Sequence, residues 1–318
     1  MKKLAVGIDI GGTNSVFGFV DNIGHVYAKS SIKTAEYEHV EEYVRVLSNE
    51  IRLLFETVPD AELIGIGIGV PNGNYYKGTI EFAPNLRWKG IIPLADMFSK
   101  ELNLPVMLTN DANAAAIGEM VYGNAKGMKD FLIITLGTGV GSGIVVNGEL
   151  VYGHDGFAGE VGHTTVYPGG RMCGCGKKGC LEAYCSAKGI VKTYLNYLKK
   201  NDIKPEIPAE EVTPKYIYDK AVQKDMYALK TYKKTGKILG MALTNSVAHL
   251  SPEAIFLFGG ITNSGDMIFD PIKKSFEKYL LPIYRNKIKI LPSGVKENDA
   301  AILGAASMVW KDLGFETL

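Results

Sequence analysis

His163, Cys173, Cys175 and Cys180 are the residues of this sequence best suited to hold a metal. They follow the pattern H-x9-C-x-C-x4-C. Three thiols and one imidazole match the donor set and coordination number of a closed structural zinc site. Gly174, Gly176 and Gly179 leave the loop between them free to wrap an ion. The competing reading is a set of reduced surface thiols, and their tight clustering argues against it. Cys185 lies outside the pattern and reads as an ordinary buried thiol. Glu160 and Glu182 flank the cluster. As buried, ionised carboxylates they would be pure acceptors, suited to hydroxyl donors. Their bland alternative is the usual solvated surface glutamate.

Two glycine turns come next. Gly137-Thr138-Gly139-Val140-Gly141 is not a dinucleotide fingerprint, which would open a helix. Here the turn leads into Ile144-Val145-Val146, a β-branched run, so it is read as a hairpin tip. No G-x-x-x-x-G-K-[ST] occurs in the chain. A glycine hairpin can still offer backbone N–H groups and a threonine hydroxyl to phosphate oxygens. Asp9-Ile10-Gly11-Gly12-Thr13 is a weak echo of the same device. Two such copies facing one another would make a cleft with a phosphate loop on either side. Asp9 is then placed to hold Mg²⁺ through water, because this ion keeps several of its waters.

In Thr109-Asn110-Asp111-Ala112-Asn113 a strand gives way to a helix, where a single Asn or Asp is expected as the N-cap. Three polar groups stand where one would serve. A carboxylate at the C-terminal end of an α/β strand is well placed to take a hydroxyl proton, which makes Asp111 a candidate general base. Asn85, after Pro84, is either a turn residue or a ligand. Trp88 and Trp310 read as packing residues.

These groups need elements to carry them. Runs rich in β-branched and apolar residues, broken by Gly and Asn, predict strands over Leu4–Ile10, Ser15–Val20 and His25–Ile32, and the alternation of Ile with Gly predicts one over Leu63–Val70. The spacing of Val40, Val44, Leu47, Ile51, Leu54 and Phe55 predicts a helix over Val40–Phe55. A helix over Ile92–Leu102, a strand over Val106–Thr109 and a helix over Ala112–Val121 follow. The second part reads as strands over Phe131–Leu136, Gly143–Val146 and Glu149–Tyr152, then an irregular stretch, His154–Gly179. Helices over Ser186–Leu198, Pro214–Gln223 and Asp225–Leu250 come after it. Lys199–Pro214, rich in charge and proline, reads as an exposed connection. A strand over Ala254–Phe258 ends at Gly259-Gly260. Helix Ile268–Leu281, strand Lys287–Leu291 and helix Asp299–Trp310 complete the chain. Strands alternate with helices in both halves, so the class is α/β. The division expected is an N-terminal domain over 1–120, joined by the C-terminal helix at about 299–318, and a larger domain over 121–298.

The 318 residues are 46% hydrophobic and 22% charged, an ordinary soluble balance with room for two cores. A net charge of +1 offers no basic face to nucleic acid. No apolar run is long enough to span a bilayer, and Met1-Lys2-Lys3 leads straight into a strand rather than a secretory signal. Three cysteines within eight residues point to a metal rather than a disulfide scaffold.

Asp9-Ile10-Gly11-Gly12-Thr13-Asn14, Leu136-Gly137-Thr138-Gly139-Val140-Gly141, Gly159-Glu160-Val161-Gly162-His163 and the run Cys173 to Glu182 together resemble the ROK family of repressors, open reading frames and kinases, from Lys3 to about Trp310. Within that family the chain looks most like bacterial glucokinases. The resemblance implies the two-domain actin-like ATPase (ribonuclease H-like) fold of sugar kinases, with a cleft between the domains. It implies a cytoplasmic enzyme that phosphorylates a hexose, glucose first, with ATP, catalytic Mg²⁺ and structural Zn²⁺, and a homodimer with neither nucleic-acid nor membrane partners. Other hexoses and N-acetylhexosamines are the alternative substrates. Carried onto matching positions, Asp111 would be the base. Asn85, Asn110, Asp111, Glu160, His163 and Glu182 would bind the sugar, and His163 would also ligate zinc. Asp9, Gly11, Gly12, Thr13, Asn14, Gly137, Thr138, Gly139, Gly259 and Gly260 would lie against ATP and its metal. The family's G-x-P-G loop reads Gly69-Val70-Pro71-Asn72-Gly73 here, with Asn72 departing from the pattern. A family repressor would carry a winged helix ahead of the first phosphate turn, and Asp9 is expected to leave no room for one. A non-catalytic sugar-binding module would need no phosphate apparatus.

Overall fold

The computed structural model describes residues 1–295 and 297–312. They form an α/β fold built on two five-stranded sheets and one small sheet. The first stretch contributes β1 (Lys2–Ile10), β2 (Ser15–Val20), β3 (Val26–Ile32), α1 (Val40–Phe55) and β4 (Ala61–Gly69). Three short strands follow, β5 (Gly73–Asn74), β6 (Thr79–Glu81) and β7 (Ile91–Ile92), then α2 (Leu94–Leu102), β8 (Val106–Thr109) and α3 (Asp111–Tyr122). Next come β9 (Phe131–Leu136), β10 (Val140–Val146), β11 (Glu149–Leu150), α4 (Glu182–Cys185), α5 (Ala187–Lys200), α6 (Pro214–Val222) and α7 (Met226–Leu250). The chain closes with β12 (Ala254–Phe258), α8 (Asp266–Tyr279), β13 (Lys289–Pro292) and α9 (Glu297–Asp312).

The sheets share one plan. The first runs β3-β2-β1-β4-β8 and the second β11-β10-β9-β12-β13. In the first, β2 pairs antiparallel with β1 and β3, while β4 and β8 add in parallel. In the second, β12 pairs in parallel with both β9 and β13. The echo between the two glycine turns is thus an echo of whole sheets.

Two compact units result. One holds Met1–Met128, Gly143–Gly159 and the chain from Ser293; the other holds Lys129–Ser142 and Glu160–Pro292. The segment 143–159, grouped by sequence with the second domain, packs with the first. Its Tyr152 ring stacks on Tyr75 at 4.1 Å, and its Glu149 pairs with Lys311. In the first unit the outward faces of β1 and β4 bury Leu4, Val6, Ile8, Ile66 and Ile68 against α1 and α2. The glycines of β4 serve the opposite face. A Cβ at Gly67 would lie 1.8 Å from the carbonyl oxygen of Ala305, so the backbone of α9 rests directly on the sheet. The alternation of isoleucine with glycine is the imprint of that contact.

Five expected elements, α1, β2, β8, β9 and β12, have the bounds read from the sequence. Helix α2 begins at Leu94 rather than Ile92, because Ile91–Ile92 pair with β6. The small sheet β5-β6-β7 was not foreseen, since strands of two or three residues show no period. The final helix, expected over Asp299–Trp310, runs from Glu297 to Asp312; the rest of the C-terminal segment expected to join the first domain, 313–318, lies outside the described residues. Trp88 and Trp310 are buried, as is Cys185, in keeping with their expected packing roles. No helix among the described residues is long and apolar enough to cross a membrane.

Candidate active site and metal centre

The first unit gathers two carboxylates at strand ends. In the parallel register Asp9 of β1 stands opposite Gly69 of β4, and Gly69 opposite Thr109 of β8. Asn110 and Asp111 follow at once. Asn110 caps α3, its Oδ1 accepting the Asn113 N–H at 2.9 Å. Asp111 is therefore not needed as the cap, which was its bland reading. Its Oδ1 accepts the adjacent Ala112 N–H at 2.8 Å, and the residue is exposed. Asn113 is buried and donates to Thr109 Oγ1, a structural role. Burial, then the Asp111 charge, pushes Asp9 up to about 7. Crowding by protein also raises Asp111, opposed by the Ala112 N–H.

Gly11, Gly12, Thr13 and Asn14 form the turn from β1 to β2, closed by the Gly11 N–H on the Asn14 carbonyl at 3.0 Å. A Cβ at Gly12 would lie 2.3 Å from the Asn85 carbonyl oxygen. Only glycine lets the two segments meet, and the meeting places exposed Asn85 beside this turn.

The second unit gathers the other candidates. Gly137, Thr138 and Gly139 make the turn from β9 to β10, with the Gly137 N–H on the Gly139 carbonyl at 3.1 Å. Gly137 and Thr138 are exposed. Gly259 and Gly260 end β12, the strand beside β9. Gly137, Thr138 and Gly260 line a recess of about 460 Å³ with Tyr218, Tyr232 and Ile261. The two tyrosines were not singled out from sequence. A tyrosine at helical spacing signals a core face equally well, and Tyr232 is in fact mostly buried.

The donor atoms of His163, Cys173, Cys175 and Cys180 all lie within 4.8 Å of one another. Cys173 Sγ is 3.7 Å from His163 Nδ1, and Cys175 Sγ is 3.7 Å from Cys180 Sγ. Tetrahedral zinc with ordinary Zn–S and Zn–N bonds has edges of roughly 3.6–3.8 Å, which these two separations match. With Nδ1 facing sulfur, His163 turns Nε2 toward Glu160 Oε2 at 3.8 Å. Glu160 was read from sequence as either a buried acceptor or a solvated surface residue. Its side chain is 53% exposed, because it precedes a short 3-10 turn at the surface of its unit. Glu182, half-buried at the start of α4, accepts the Val140 N–H at 3.1 Å and the Cys173 thiol at 3.2 Å.

Two sheets of one strand order, each carrying a glycine turn where its central strand ends, define a duplicated α/β architecture. A profile of the ROK family matches residues 5–312, and the chain belongs to that family. It is 37% identical to a glucokinase of Halalkalibacterium halodurans over 96% of this chain and 94% of that protein. It is 31% identical to a xylose repressor of Bacillus spizizenii over 96% of this chain and 76% of the repressor. A ROK family glucokinase of Streptomyces griseus, solved with glucose and AMPPNP, superposes with a TM-score of 0.81 at 31% identity, covering 96% of this chain and 98% of that one. The fold is accordingly the actin-like ATPase fold of ROK sugar kinases.

Proposed function

We propose that the protein transfers the γ-phosphoryl group of ATP to the primary hydroxyl of a hexose, D-glucose foremost, giving the 6-phosphate. The observation that carries the chemistry is Asp111. It stands just past a strand's C-terminal end, is reachable by water, and is relieved of capping by Asn110. A raised carboxyl is a better proton acceptor toward an alcohol than an ordinary one. The choice of sugar is supported by likeness to glucokinases.

Asp111 orients the hydroxyl and takes its proton as the oxygen attacks in line, with no covalent enzyme intermediate. Asn85, Asn110, Glu160, His163 and Glu182 hold the remaining hydroxyls. The backbone N–H groups of Gly11, Gly12, Thr13, Asn14, Gly137, Thr138 and Gly139 hold phosphate oxygens. Gly260 borders the recess, whose volume suits a nucleoside, and Gly259 precedes it at the end of β12. Mg²⁺, held by Asp9 through water, would offset phosphate charge. Zn²⁺ on His163, Cys173, Cys175 and Cys180 would fix the loop and the imidazole tautomer. The assembly implied by the family resemblance is a homodimer.

A second reading is a sugar-responsive regulator, favoured by the likeness to xylose repressors. One experiment separates the two: ADP release with glucose, mannose, allose, fructose, N-acetylglucosamine and N-acetylmannosamine. A regulator releases none. A tenfold preference for a sugar other than glucose, about 1.4 kcal/mol in the transition state, overturns the substrate while leaving the kinase.

A further inference from the structure

Asn72, the departure from the family's loop, occupies left-handed backbone at φ 54°. Its Nδ2 donates to the carbonyls of Glu81 at 2.9 Å and Phe82 at 3.4 Å, and its own carbonyl accepts the Glu81 N–H at 3.1 Å. Those bonds converge on a strained point. Phe82 has φ 53°, an outlier for a bulky side chain, and it is 68% exposed, so burial of its ring does not offset the strain. Its N–H is held by the Gly90 carbonyl at 2.9 Å. The chain reverses there. Ala83 and Leu86 then enter the core, and Asn85, left exposed between them, meets Gly12 with its carbonyl.

We infer that Asn72 is a positioning residue whose side-chain amide holds the reversal at Phe82 and so sets Asn85 against the Gly11-Gly12 turn. This rests on the reading of Asn85 as a hexose ligand. Asn suits the place twice: it tolerates left-handed backbone better than most residues, and it carries an N–H donor where two carbonyls wait.

Asn72→Gly keeps the backbone conformation and removes both donors. Asn72→Asp keeps size and left-handed tolerance but leaves an acceptor facing carbonyls. Both variants are compared with wild type by hydrogen-exchange mass spectrometry without ligand, and by steady-state kinetics. The expected result is faster exchange confined to the peptide spanning Glu81–Leu86, a rise of at least fivefold in hexose KM, and an ATP KM within twofold. A purely structural role would lower thermal stability and leave that split absent. Unchanged exchange at Glu81–Leu86 overturns the positioning itself. Faster exchange with unchanged hexose KM overturns its link to the sugar. If wild type turns over no hexose, the kinase reading falls, and the sugar link with it, while exchange still decides whether Asn72 holds the loop.

Discussion

The Glu182 carboxylate accepts the backbone N–H of Val140, at 3.1 Å, inside the second glycine turn. The same group touches Cys173 in the metal loop. A residue expected to bind only sugar thus also fastens the loop assigned to phosphate. A backbone bond to a carboxylate contributes about 1.5–3 kcal/mol. Glu182→Ala is expected to raise KM for both hexose and ATP by about tenfold. Glu182→Gln keeps an acceptor for Val140 and should restore the ATP constant alone. An ATP KM unmoved in the alanine variant sinks this coupling.

Asp111→Asn keeps the shape and removes the proton acceptor. We expect kcat to fall by about 10² to 10⁴ with glucose binding largely retained by calorimetry. A variant retaining more than about a tenth of wild-type turnover excludes Asp111 as the base. The wild-type pH profile should show the same group. A base must be ionised, and burial raises Asp111, so kcat/KM should fall on the acid side with a midpoint above the ordinary 3.8. An acid limb at or below that value contradicts the assignment.

Asp9 gives a prediction about stability. Its folded pKa is raised from 3.8 to about 7, so the folded state holds this proton more tightly than the unfolded chain. The stabilisation is complete below 3.8 and is lost as pH rises through about 7. Asp9→Asn removes that penalty. Without ligands, the variant's advantage over wild type should grow between pH 5 and pH 8 by on the order of 2 kcal/mol. Denaturant melts at both pH values measure it, and an advantage that does not change with pH refutes the shift.

Freshly purified protein should contain one zinc per chain by elemental analysis. Cys175→Ser should lose the metal and raise hexose KM, because His163 Nε2 would no longer be aimed by ligation at Nδ1. Metal-free wild type, or a metal-free variant with unchanged KM, would defeat this account.

The sequence made the strands and helices legible where their period ran long enough, as in α1, whose apolar spacing returned the bounds Val40–Phe55. It made the metal cluster legible because His163, Cys173, Cys175 and Cys180 are close in sequence as well as in space. It was silent on β5, β6 and β7, and so on the anchoring role of Asn72. Spacing also could not tell whether Asn110 or Asp111 caps α3, since either type serves. The exposure of Glu160 was left open because burial of a glutamate depends on its turn, not on its neighbours in sequence. Tyr218 and Tyr232 line the recess with Gly137 only after a helix pair has folded back on the β9 turn, which no local pattern encodes.

Helix α9 leaves the ribosome after every described strand, yet its backbone lies on Gly67 of β4 and, through the Ile302 carbonyl, on Gly7 of β1. Until it emerges, that face of β1 and β4 lacks its main cover, although α3 already meets it at Gly69 through Ala114. The first unit therefore cannot complete its fold until α9 has been made, although nearly all its strands precede it by far. A nascent chain paused before Glu297 exposes an apolar sheet face, the kind of surface that chaperones shield and aggregates exploit. A stop codon there would remove a late helix and leave the earliest strands unfinished.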